Sequence, residues 1–82
     1  MGRISKNAVR VLATYEMLLS AAEPLSTKTI INNLERDYDI KVDKKTVYSD
    51  IAAINKFFPI VYIRPYGYIS AYLVTARRKN ET

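Results

Sequence analysis

The stretch "VDKKTVYSDIAAINK" sets Lys44, Lys45, Thr46, Tyr48, Ser49, Ala52 and Lys56 close together in the chain. At about 100° per residue, Val47, Ile51, Ile54 and Phe58 fall on one side of a helix. Lys45, Ser49, Ala52 and Lys56 fall on the opposite side, with Tyr48 on a flank. An ammonium group suits a phosphate or the O6 and N7 acceptors of guanine, a hydroxyl serves several bases, and an alanine methyl fits a thymine methyl. A solvated face accounts for any one of these lysines. The whole set on one face points instead to a double-stranded polyanion. Thr46, in the first helical turn beside unpaired backbone N–H groups, suits a phosphate contact. Asp50 sits on the edge of the apolar face, where a carboxylate turned toward DNA would be repelled. It is expected to pair with a basic or amide group of another helix.

The elements that must hold this helix are legible in the same way. From Ala8 to Ala22 apolar side chains recur with helical spacing, Ser5 or Asn7 can cap the start, and Glu23-Pro24 ends the run. In "LSTKTIINNLERDY", Ser26 is the N-cap, and Leu25 and Ile30 flank it as a hydrophobic staple. The device recurs with Asp43 as cap between Val42 and Val47, predicting a third helix over about residues 44–57. Only "DIKV" separates the second and third helices, room for a short extended segment at most. After Pro59 the period changes to two: "IVYIR" and "YISAYL" read as strands, with Ile69, Ala71 and Leu73 alternating against Tyr68, Ser70 and Tyr72. "RPYG" joins them, with Pro65 read as the second turn residue and Gly67 as the fourth. A two-stranded hairpin is marginal alone, so its apolar face must fold back on the helices.

The fold expected is α+β: a winged helix-turn-helix, with a three-helix bundle and a two-stranded β-hairpin wing over residues 1–76 and a basic tail over residues 77–82. The wing then adds Arg64 and Tyr66 at its tip, for a minor groove or the flanking backbone. Tyr62, Tyr68 and Tyr72 read as cross-strand packing first and stacking groups second. Lys28, near the start of the second helix, is a weaker backbone contact. Arg77, Arg78 and Lys79 serve either as phosphate contacts or as a solubilising tail.

Composition narrows the function classes. The 82 residues carry a net charge of +5, and it is segregated. Residues 1–40 hold five basic and five acidic groups, whereas residues 41–79 hold eight basic groups against Asp43 and Asp50. Such asymmetry reads as a footprint for a polyanion. There is no cysteine and no histidine, so thiolate metal sites and the commonest general base are missing. The cluster Glu35, Asp37, Tyr38 and Asp39 could hold Mg²⁺ beside a nucleophilic tyrosine, but no second acidic cluster or histidine supports it. The chain is expected not to be an enzyme and to need no cofactor. No apolar run approaches a membrane span, and Arg10 and Glu16 spoil the N-terminus as a signal peptide, so a cytoplasmic protein with no membrane partner is expected.

The stretch Val11–Leu73 resembles the winged-helix domain of DeoR-type and WYL-domain bacterial regulators, with kinship to the biotin-repressor-type domain. "PLSTKTIINNL", "VDKKTVYSDIAAIN" and the "GYI" of the wing carry the resemblance. It implies that "TVYSDI" lies on a recognition helix and that Lys45, Thr46, Tyr48 and Ser49 contact DNA. Ser49 stands where many members have arginine, and the family's sensor domain has no counterpart in this stretch. The function expected is sequence-specific binding of double-stranded DNA by a small transcriptional regulator of a bacterium, phage or mobile element. So small a module suits a homodimer on two half-sites, with helix 1 or the tail as the surface joining the copies. The rival is a winged helix that docks on a protein partner, such as a phage-encoded inhibitor of a host nucleic-acid machine, anchored by Tyr48, Tyr66 and Tyr68.

Overall fold

The computed structural model describes residues 5–72. Three helices, α1 (Lys6–Ser20), α2 (Thr27–Tyr38) and α3 (Lys44–Asn55), precede an antiparallel hairpin of β1 (Ile60–Ile63) and β2 (Gly67–Ser70). This is the winged helix-turn-helix layout. The tail from residue 77, the boundary at residue 76 and Leu73 lie outside the described residues.

Each helix begins where its cap dictates. The side chains of Ser5, Ser26 and Asp43 accept hydrogen bonds from the N–H groups of Ala8, Thr29 and Thr46, so one otherwise unpaired donor is satisfied at each start. α2 stops at Asp39, which takes the left-handed conformation (φ 55°). There the N–H groups of Asp39 and Ile40 close on the Glu35 and Leu34 carbonyls at 3.1 Å. "DIKV" forms no strand.

The core joins Ala13 and Leu18 of α1, Ile30 and Leu34 of α2, and Val47 and Ile51 of α3. Leu25 and Val42, the outer halves of the two staples, pack against this cluster. Burying a leucine or isoleucine of this kind stabilises the fold by about 1.5–3 kcal/mol.

Several details depart from the sequence reading. α1 buries Ala13, Thr14 and Leu18, and of the expected apolar stripe Leu12 and Leu19 stay exposed. α3 ends at Asn55, two residues earlier than expected, and Phe58 is 42% exposed rather than part of the core. It packs instead on Tyr15, with ring centroids 4.5 Å apart. β2 ends at Ser70, and Ala71 and Tyr72 are already helical, so the alternation expected through Leu73 stops at the buried Ser70. The hairpin turn closes one residue early: the Tyr66 N–H donates to the Ile63 carbonyl at 2.7 Å, which makes Pro65 the third residue of the turn, after a cis Arg64-Pro65 bond. Finally, Leu25 pairs with Tyr68 as an isolated antiparallel bridge, with both N–H···O bonds at 2.8 Å. The segment entering α2 thus serves as a one-residue third strand, and it draws the wing onto the helices.

Gly67 makes that closure feasible. A Cβ at this position would lie 2.1 Å from the Leu25 carbonyl oxygen and 2.7 Å from the Ser26 nitrogen, and φ is +138°. The sequence pointed to this glycine for its turn conformation; the closer constraint is the backbone of Leu25 lying against it.

Candidate nucleic-acid interface

The outward face of α3 is built by burying the opposite one. Val47, Asp50, Ile51 and Ile54 are buried, and this fixes the rotation of the helix about its axis. Lys44, Lys45, Tyr48, Ser49, Ala52 and Lys56 are all exposed, and Thr46 is half-buried in the first turn.

Two contacts lock that rotation, one on each flank. On the α1 side, Asp50 is 5% exposed and receives a two-point hydrogen bond from Arg10. Arg10 Nε lies 2.6 Å from Oδ2 and Nη2 lies 2.9 Å from Oδ1. The remaining nitrogen, Nη1, donates to Asn7 Oδ1 at 2.8 Å. The hydrogen bond to Asp50 holds the guanidinium above its usual range, against the opposing cost of burial. The expected partner for Asp50 from another helix is therefore Arg10, which the sequence reading did not name. No local signal marks Arg10 for this role, because the pairing spans forty residues of chain and depends on how α1 packs against α3.

On the other flank α3 meets the wing. Burial pushes the Tyr68 hydroxyl up from its ordinary value, with smaller contributions from Tyr48 and Tyr62. The Tyr62 and Tyr68 rings pack across the strands, tilted by 46° with centroids 4.9 Å apart, as cross-strand packing predicts. Asn55 Oδ1 accepts the Ile60 N–H at 2.8 Å and ties the start of β1 to the end of α3. Arg64 and Tyr66 stand exposed at the wing turn. Lys28 is exposed in the first turn of α2. Arg77, Arg78 and Lys79 lie outside the described residues.

The positive charge on these elements is uncommitted. Among the described residues Arg10 pairs with Asp50 and Arg36 with Asp37, whereas Lys44, Lys45, Lys56 and Arg64 pair with no carboxylate. Asp43, the one acidic group at the start of α3, is occupied as the cap. The Thr46 backbone N–H holds its carboxyl below the usual carboxylate range, with Lys45 adding a little.

No family model, curated protein or solved structure matches this chain.

Of the acidic cluster at the end of α2, Asp37 pairs with Arg36, and the Asp39 backbone N–H caps the helix. Among the described residues no group of three His, Cys, Asp or Glu could hold a metal ion. Nor is any described helix long and apolar enough to cross a membrane.

Proposed function

We propose that the protein binds double-stranded DNA sequence-specifically and acts in the cytoplasm as a small transcriptional regulator, of the DeoR-like kind that its motifs resemble. α3 enters the major groove, and the wing lies on the flanking backbone or minor groove. The observation that carries this reading is the uncommitted cationic face of α3, held outward by the Arg10–Asp50 pair on one flank and tied to the wing by the Asn55–Ile60 hydrogen bond at its end. A helix of twelve residues is about 18 Å long and fits a groove about 12 Å wide. Lys45, Ser49 and Ala52 read base edges, with Lys44, Thr46 and Tyr48 at the entering end. Lys56, Arg64, Tyr66 and, at the periphery, Lys28 grip the backbone. A homodimer reading two half-sites gives so small a module its specificity.

Titration against duplex DNA at several salt concentrations tests the proposal. The log of the binding constant should fall steeply with log salt, and Lys45→Ala, Lys56→Ala and Arg64→Ala should each flatten the slope by roughly 0.9. Ser49→Ala should alter sequence preference more than salt slope. Absence of duplex binding at low salt would overturn the proposal. It would favour a protein partner instead, for which Tyr48 and Tyr66 (48 and 65% exposed) are suitable anchors, whereas Tyr68, expected as the third, is half-buried against the core.

A further inference from the structure

The largest unexplained feature of the surface is apolar. Phe57 is 78% exposed, Leu12 59%, Leu19 46% and Phe58 42%. They are not scattered. Leu12, Tyr15 and Leu19 follow one stripe of α1 at spacings of three and four residues. Leu12 and Tyr15 meet Phe57, Phe58, Ala53 and Ile54 around a concavity of about 310 Å³ that no charged side chain lines among the described residues. The turn after α3 presents both phenylalanines there, because the N–H groups of Phe57 and Phe58 donate to the Ile54 carbonyl at 3.0 and 2.8 Å.

From this surface we infer that a second copy of the chain docks on it, through the outer face of α1 and the C-terminal end of α3. Two considerations select that occupant. The first is area. With exposed large side chains contributing on the order of 100 Å² each, the patch offers roughly 400–500 Å² per copy. Two copies bring roughly 900 Å² of apolar core, which a polar rim extends to the 1,200–2,000 Å² of a stable interface. The second is position. Ala53 lies on the flank of α3 toward Leu12 and Tyr15 of α1, and Phe57 lies beyond the end of α3 at Asn55, so docking leaves Lys45, Ser49 and Ala52 open. The inference deepens the half-site reading by naming the surface that joins the two copies. The association itself does not depend on DNA.

Sedimentation equilibrium of the full chain without DNA tests it. The expected mass is twice 9.4 kDa at tens of micromolar protein. Phe57→Glu and Leu12→Glu should each weaken association at least 100-fold. Both positions are exposed, and an unchanged far-UV circular dichroism spectrum would show that the fold persists. A monomeric wild-type chain overturns the inference, because the patch then serves another protein or other residues of this chain. A dimer indifferent to Phe57→Glu and Leu12→Glu also overturns it by placing the contact elsewhere. Neither result bears on duplex binding, which is read separately.

Discussion

Asp50 is the residue on which the orientation of the candidate interface turns. A carboxylate exposed on the proposed DNA-binding face of α3 would repel a phosphate backbone. Buried with Arg10, it becomes instead a two-point clamp that fixes how α3 is rotated. Removing one partner leaves the other charge in a poorly solvated site, with side-chain exposures of 19% for Arg10 and 7% for Asp50. Either Arg10→Ala or Asp50→Ala should therefore destabilise the domain by about 3 kcal/mol in urea unfolding. Arg10→Met combined with Asp50→Leu should cost less than either single change, because no unpaired charge remains. A double variant as unstable as the sum of the singles would show that the two side chains contribute independently. The sequence disclosed half of this contact. The need of Asp50 for a partner follows from its place on the apolar edge, but choosing Arg10, forty residues away, requires knowing how α1 crosses α3.

At the scale of elements, local signals located the helices and tertiary contacts decided the wing. Ser5, Ser26 and Asp43 start α1, α2 and α3 as their side chains dictate, since a cap and a staple act within a few residues. The end of α3 and the place of Phe58 were misread because helical spacing alone does not show where the chain turns away. Likewise the Leu25–Tyr68 bridge left no periodic trace, since a single residue has no period. Its sequence signal is Gly67, whose Cα sits where a side chain would collide with the Leu25 carbonyl. Gly67→Ala must therefore separate the wing from the segment before α2, with a positive φ as a further cost. The expected destabilisation is about 3 kcal/mol or more, with faster hydrogen exchange at the Leu25 and Tyr68 amides than at the helix α2 core. Equal protection at all these sites in the variant would show that the bridge does not hold the wing.

At the scale of the molecule, charge balance and charge placement make different claims about DNA. A net charge of +5 would attract any polyanion weakly, wherever the cations stood. The structure adds that the cations of α3 and the wing are unpaired among the described residues, while Arg10 and Arg36 are neutralised within the protein. The two ideas separate in a pair of triple variants with the same net charge. Lys45→Ala, Lys56→Ala and Arg64→Ala together remove three proposed phosphate or base contacts and should flatten the salt slope by nearly 3 units. Lys6→Ala, Arg36→Ala and Lys41→Ala remove as much charge from elsewhere on the surface. They act only through the long-range field, which a Debye length of about 8 Å at physiological salt largely screens. This second variant should keep the wild-type slope to within about half a unit and bind only slightly more weakly. Equal losses from both would mean that the protein meets DNA as a diffuse positive charge, and that the face built around Asp50 confers no register on the duplex.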